Sequence, residues 1–570
     1  MKYILLFFFF TSFVTMSQSI AWRQLSSAVL EEAKSENKII LLNLKANWCH
    51  WCHVMDDSTY SNLAVQEYIE THFIPVKADQ DANPELSARY KEYGWPATIF
   101  INGNGEDVVK RAGYISPEPF LRLLKAIVAD PSPEEETGFP TVLKASPDSD
   151  KSVLNDLQKA FENALDYEDG GFDQDQKFIE NDTYEYALFN GKEVKIKNWI
   201  KTSVNGARKL CDPAWGGVYQ YSTHDDWEHL HFEKLLSIQT RYLRIFHYFN
   251  LYFPEEETAQ KEIDGILRYI NRFFKHENGL YSNAQDADLV QGEHAEEYFR
   301  LGDKERMKLG VPKVDTNTYT YNNAELARSL LILSYGNEGD GSYARTSHKI
   351  LESLAQRKAS NNLYFHAAEK RKVWSLKDQI AMALLLIEEL KANQNNKEVK
   401  ELLNTFLSAV AKQFINENGS AKSFVGDNGL IAQPLIEENI QLARIFNWYS
   451  YFSNQKKYKV LAKGLFDYLI HPEIAKVYYS QPALLMLSKE LNEAPLEFVF
   501  VRNGEGSSLS DKARSYAPFY SLFSDYSKDE LPQEKEELFG DFEVNVLFAC
   551  TANYCSSPMY DKGDVGEFFK

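Results

Sequence analysis

The spacing of apolar positions changes character twice along the chain. In the first part, short apolar runs alternate with amphipathic stretches. Residues 26–35 have helical spacing, 38–44 form a near-continuous apolar run after a polar break, and 54–72 return to helical spacing. Residues 73–78 predict a second strand and 84–93 a further helix. Strands at 98–101 and 108–113 flank the turn Asn102-Gly103-Asn104-Gly105, and 117–129 predict a closing helix. A polar break rich in Pro and Glu follows, from Pro131 to Asp150.

Beyond it the period is helical almost throughout. Helices are predicted at 153–165, 199–210, 233–251, 262–275, 324–334, 346–356, 376–391, 399–414, 434–452 and 458–470. Between them recur loops that join a small or polar residue to an aromatic: Gly171-Phe172, Gly217-Val218-Tyr219, Gly279-Leu280-Tyr281, Leu363-Tyr364-Phe365, Gly419 to Phe424, and Val477-Tyr478-Tyr479. Six such loops predict six helical hairpins closed into a ring, an (α/α)6 toroid over residues 150–490. After residue 495 strands return, at 496–501 and 544–549, with a charged stretch between them. This predicts a small α/β appendage over 495–570.

Composition narrows the class. A chain of 570 residues with 44% hydrophobic and 14% aromatic positions folds as several units. Its formal charge of -20 argues against nucleic acid or an anionic membrane as a partner. The opening Met1-Lys2, the apolar run Ile4 to Val14 and the small residues Thr15 and Ser17 predict a cleavable signal peptide over 1–17, hence a secreted or periplasmic protein. That run is too short to span a bilayer. With five cysteines, disulfides are not the scaffold. Cys211 stands alone and is expected to be structural, whereas Cys550 and Cys555 are spaced for a local disulfide, with acceptance of electrons from Cys49 and Cys52 as the alternative.

The chemistry concentrates in Trp48-Cys49-His50-Trp51-Cys52-His53, which follows the first strand and opens a helix. A helix start favours thiolate over thiol. Cys49 is then the attacking sulfur, exposed at the helix start, and Cys52 the resolving one. His50 stabilises the thiolate, Trp48 shields it, and the Cys49 pKa is expected below the free value of about 8.5. The order strand, Cys-helix, strand, helix, hairpin, helix is that of a thioredoxin-like domain over 21–130, with Pro96 where that fold keeps a cis proline. Three other readings of the motif stand beside this one. It matches the c-type haem attachment signature literally, two of His50, His53 and His72 could join the cysteines around zinc, and the pair could be an inert disulfide. The redox reading needs no metal and no cofactor, and its partners are protein or small-molecule thiols and disulfides.

The motif run from Trp48 to Met55 resembles the signature of the spermatogenesis-associated thioredoxin-like family, which is also widespread in bacteria. Gly171 to Phe178, Trp215-Gly216-Gly217-Val218-Tyr219, His231-Phe232-Glu233-Lys234, Gln285-Asp286-Ala287-Asp288 and the closing Cys550 and Cys555-Ser556-Ser557-Pro558 resemble its further motifs. The resemblance implies a thioredoxin fold joined to a six-hairpin toroid like those of glycosidases and N-acylglucosamine epimerases. Two positions depart from pattern. Asn43 stands where thioredoxins carry a buried acid, and Asp315-Thr316-Asn317 to Tyr321-Asn322 lacks a lysine and a tryptophan of the family's toroid stretch, which weakens an inference of sugar chemistry.

The toroid's loops are rich in acids, His and aromatics, as a carbohydrate cleft is. Candidate ligand-binding residues are His231, Glu233, Asp173, Asp286 and Asp288, with His229, Asp378 and Glu438 beside them. His231 and Glu233 are expected to start a helix as a cation and a carboxylate able to move a proton. The plainer reading of each is a helix cap or a loop bridge.

Overall fold

The computed structural model describes residues 19–134, 150–191, 193–335, 341–394, 396–475, 481–503, 508–516, 520–540, 542–551 and 553–568. The expected signal peptide, most of the polar break and the loop at 477–479 lie outside them. The chain forms two compact units. One is drawn from Met1–Lys45, Trp51–Ala78 and Tyr93–Glu134, the other from Ala46–His50, Asp79–Glu92 and Glu135–Lys570.

The first part of the chain runs α1 (Ser27–Glu36), β1 (Ile39–Lys45), α2 (His50–Ser58), α3 (Leu63–His72), β2 (Phe73–Asp79), α4 (Pro84–Tyr90), β3 (Ala97–Ile101), β4 (Asp107–Ala112) and α5 (Pro117–Ala129). The sheet order is β2-β1-β3-β4, with β1 and β3 antiparallel and Asn43 opposite Thr98. Leu41 and Phe100 from the strands meet Val65 and Ile69 of α3 and Phe120 and Leu124 of α5 in one buried cluster. That is the thioredoxin-like order. The single helix expected over 54–72 is two. The Ser58 hydroxyl donates to Val54 O and Thr59 Oγ1 to Ile115 O, which ends α2, and Asn62 caps α3 by accepting from Ala64 N at 3.1 Å.

The second unit is a helical ring. Its helices are α6 (Asp150–Asn163), α7 (Asn181–Asn190), α8 (Val194–Ala207), α9 (Leu236–Tyr252), α10 (Gln260–Phe273), the short α11 (Glu296–Phe299) and α12 (Asp303–Leu309), α13 (Thr320–Ser334), α14 (Ser342–Ala355), α15 (Leu376–Ala392), α16 (Lys397–Phe414), α17 (Ile436–Ser453), α18 (Lys456–Leu469), the short α19 (Pro472–Ala475) and α20 (Pro482–Asn492). Six inner helices contact in a closed cycle, α7-α9-α13-α15-α17-α20 and back to α7. Each packs against one outer helix: α8, α10, α14, α16, α18 and α6. This is the (α/α)6 toroid.

Two inner helices, α7 and α20, were not expected from the pattern. α7 buries Thr183, Tyr184, Glu185, Tyr186 and Ala187 in succession, and α20 buries seven of its first nine residues or nearly so, from Pro482 to Leu487 and at Glu490. Helices buried almost all round show no 3.6-residue stripe.

Four of the recurrent loops are tied to the ring by one device. Gln239, Asn323, Gln379 and Asn439 each sit three residues into an inner helix, and each amide pairs both ways with one loop backbone residue. Val218 N donates to Gln239 Oε1 at 2.7 Å and Gln239 Nε2 to Val218 O at 2.7 Å. Asn323 does the same with Tyr281, Gln379 with Tyr364, and Asn439 with Ala421. Glycines let these loops approach the outer helices as well: at Gly216 a Cβ would lie 2.2 Å from Gly265 O of α10. Asn439→Leu strands a buried backbone N–H and C=O, and is expected to cost about 2 kcal/mol or more in denaturant unfolding.

The closing segment adds β5 (Leu496–Arg502), β6 (Ser521–Ser527) and β7 (Val546–Cys550), in the order β6-β5-β7, with β5 parallel to β6 and antiparallel to β7. Cys550, the last residue of β7, is bonded to Cys555 in a disulfide, as the spacing suggested. No helix among the described residues is long and apolar enough to cross a membrane.

Candidate functional site

Cys49 immediately precedes α2 and Cys52 lies in its first turn; both are in disulfide form. The Trp95-Pro96 peptide is cis, and Pro96 leads into β3. One expectation fails. Cys49 is 5% exposed, not open at the helix start, because its neighbours Trp48 and His50 are themselves buried and anchored.

The anchors of those neighbours lie in the second unit. Trp48 Nε1 donates to Asp81 Oδ2 at 2.7 Å, and Asp81 also accepts from Asn283 Nδ2 at 2.8 Å. Asn47 N donates to Asp79 Oδ2 at 3.1 Å. Burial, and then the charge of Asp81, push the Asp79 carboxyl up to about 7. His50 Nδ1 lies 2.8 Å and 3.0 Å from the two oxygens of Asp288, and its ring stacks on that of His294 at 4.0 Å. Asp288 is held in turn by Gly292 N at 2.8 Å, and Asp288 N donates to Asp286 Oδ1 at 2.9 Å. The hydrogen bond to Asp288 outweighs burial and raises the His50 pKa above the ordinary imidazole value.

His50 therefore favours the imidazolium form beside Cys49 in sequence. A His whose folded pKa is raised contributes stability that is full below its unfolded value of about 6.5 and lost as pH rises through the folded value. In Asp288→Asn the His50 titration, followed by NMR, is expected to move to lower pH. An unmoved midpoint would show that the carboxylate does not hold the charge.

Glu233 belongs to the same group. It is buried with Oε2 unpartnered, and burial, followed by the charges of Asp286 and Asp288, pushes it up to about 7. His231 and Glu233 do not start a helix. His231 ends a strand, His229–His231, paired with Tyr221–Thr223, and the helix begins only at Leu236. Burial lowers the His231 pKa, and its ring stacks on Tyr221 at 4.3 Å. The expected cation and carboxylate are thus a neutral imidazole and a carboxyl that holds its proton to near neutrality.

The remaining candidates divide. Asp173 is exposed in the loop after Phe172, with its N–H given to Ala164 O. His229 is exposed and faces Asp226 at 2.8 Å. Asp378 sits in the first turn of α15, accepting from Tyr321 N of α13 at 3.0 Å with His366 Nδ1 at 2.9 Å. Burial drives the Cys211 thiol up to about 12, which makes it unreactive.

A second feature lies at the ring's centre, where a cavity of about 520 Å³ opens among the inner helices. Of the candidates only Glu438 lines it. Asp182, Arg241, Tyr321, Lys377 and Gln441 are among the others that do. Glu438 is buried with Oε2 unpartnered, and burial pushes its carboxyl up to about 8 against the pull of Lys377. The unfolded carboxyl releases its proton near pH 4.3 and the folded one near 8, so the parent loses stability as pH rises between them. Glu438→Gln is expected to raise the melting temperature at pH 8 and to leave it unchanged at pH 4; equal shifts at both would contradict this.

The fold and site define a multidomain protein: a thioredoxin-like α/β domain bearing a Cys-x-x-Cys pair, an all-α toroid, and a small α/β appendage. Residues 12–129 match the family Thioredox_DsbH, described as "Protein of unknown function, DUF255". The chain is similar to spermatogenesis-associated protein 20 of Homo sapiens, 24% identical over 310 residues that cover 47% of this chain and 39% of that one. It is also similar to disulfide bond reductase DsbH of Chlamydia pneumoniae, 27% identical over 104 residues covering 16% and 62%. A crystal structure of D-mannose isomerase matches with a TM-score of 0.46 at 11% identity, covering 61% of this chain and 99% of that one. The resemblance drawn from the motifs is borne out. The chain spans less than half the length of the spermatogenesis-associated relatives it matches.

Proposed function

We propose that this chain is an exported thiol-disulfide oxidoreductase acting on protein or small-molecule thiols. The observation that carries the reading is the Cys49-His50-Trp51-Cys52 motif at a helix start, with His50 held toward its charged form by Asp288. In the reducing direction the Cys49 thiolate attacks a substrate disulfide. One substrate sulfur leaves as a thiolate and takes up a proton. Cys52, deprotonated, then attacks the mixed disulfide at Cys49; the Cys49–Cys52 bond forms and the second substrate thiol leaves. Two electrons pass from the dithiol to the substrate, and the reverse sequence oxidises it. A matching region in a disulfide bond reductase supports the assignment at the level of the domain. Cys52→Ala in the full chain is expected to accumulate a mixed disulfide at Cys49, readable by mass spectrometry. A variant that traps nothing, from lysate or from a test disulfide, contradicts the proposal.

A second reading concerns the toroid, whose central cavity of about 520 Å³ is large enough for a small ligand and lined by carboxyl, amide and cationic groups. On this reading the cavity binds carbohydrate. Calorimetry of the full chain against a panel of mono- and oligosaccharides tests it, and silence across the panel refutes it.

A further inference from the structure

Six cations and six acidic groups line the central cavity, and not all of them are paired. Arg244 is satisfied by Glu325 at 2.7 Å and by Ser329 Oγ, and Arg444 by Glu490 at 2.9 Å. Lys91 meets Glu437 at 2.6 Å. Arg328 reaches Glu325 at 3.8 Å and Glu388 at 3.7 Å. Two of the six lining cations are left over. Neither Arg241 nor Lys377 has a carboxylate within ion-pair distance among the described residues, and the Lys377 ammonium instead lies 4.0 Å from the centre of the Tyr321 ring. A cation on a cavity wall that touches no carboxylate directly is a place for an anion.

The opposite requirement is met close by. Glu438 Oε2 is buried without a hydrogen-bond partner, an arrangement that costs free energy unless something in the cavity answers it. Gln441, three residues on along α17, gives its amide N–H to both oxygens of Asp182 at 3.2 and 3.0 Å. Both residues line the cavity. Since burial keeps a proton on Glu438 to about pH 8, this group can donate as well as accept. Groups of this kind suit hydroxyls, which give and take hydrogen bonds.

We infer that the toroid's central cavity is a binding site for a small polyhydroxylated anion, its negative group held by Arg241 and Lys377 and its hydroxyls by Glu438 and the Asp182–Gln441 pair. The inference deepens the carbohydrate reading of the cavity and rests on it. It names charge as the determinant that selects the ligand. A carboxylate and a phosphate ester share the chemistry that these two cations recognise.

Calorimetry of the full chain with D-glucose, D-glucuronate and D-glucose 6-phosphate as probes tests it. At least one of the two anions is expected to bind about tenfold or more tightly than glucose, and the stronger of the two identifies the anionic group. Lys377→Met, with unchanged circular dichroism and unchanged disulfide exchange, is expected to remove that preference and leave any weak glucose binding in place. Glucose binding as well as the anions, with Lys377→Met indifferent, overturns the charge assignment and leaves a neutral-sugar cavity standing. If no probe binds, both the charge assignment and the sugar reading beneath it fail.

Discussion

Cys49→Ser is expected to reduce disulfide exchange by the full chain to the uncatalysed rate, while Cys211→Ser leaves it unchanged. The contrast follows from the chemistry of the two sulfurs. Exchange requires a thiolate. Cys49 precedes α2, whose unpaired amides favour negative charge, and His50 follows it with its imidazole drawn toward the charged form by Asp288. Cys211 lies against Val218 with its thiol driven up to about 12. His50→Ala is expected to keep exchange but slow it, with the pH midpoint of Cys49 alkylation moved up toward the free value of about 8.5. Comparable exchange by Cys49→Ser and the parent would remove the functional account.

Asp212→Ala is expected to destabilise the helical ring by about 3–5 kcal/mol. Asp212, Lys234 and Arg306 are all fully buried. Asp212 Oδ2 accepts from Lys234 Nζ at 2.6 Å and from Arg306 Nη1 at 2.7 Å. Burial opposes the carboxylate, but the two cations outweigh it and hold its pKa below the usual range. Lys234 also donates to Gly216 O at 2.8 Å and sits 4.2 Å from the centre of the Tyr269 ring, so its place is fixed from several sides. Removing the one carboxylate leaves two buried cations uncompensated. Urea unfolding of the ring reads the effect, and a loss under about 1 kcal/mol would mean that water reaches the cluster.

The same cluster shows what the chain made legible. Lys234 belongs to a motif that stands out as His231-Phe232-Glu233-Lys234, yet its partner Asp212 lies 22 residues before it, and Arg306, the cation that shares that carboxylate, lies 72 after it. Local spacing marks the motif and is silent on the pairing. The Cys motif and the elements around it could be read, because an apolar run ending at a Cys-rich helix start is a short-range signal. The His50–Asp288 contact, across 238 residues, could not. Asp79 and Asp81, which anchor Asn47 and Trp48, were missed although they directly follow an apolar strand. The acidic loops were expected to line the ring's cleft. Instead Glu233, Asp286 and Asp288 gather about His50, and the cavity is lined from the inner helices. A signal for that existed: Tyr321, Glu325 and Arg328 recur at four and three residues on a helix otherwise buried, a polar stripe on an apolar rod.

The central claim is that Cys49 and Cys52 form a working redox couple. Equilibrating the full chain in glutathione buffers of graded potential, then alkylating and weighing the peptides, measures it directly. One two-electron transition is expected, in which both cysteines become alkylatable together at a potential more oxidising than thioredoxin's value of about −270 mV. A pair that stays oxidised in the most reducing buffer, below about −300 mV, is a structural disulfide, and that result would contradict the account.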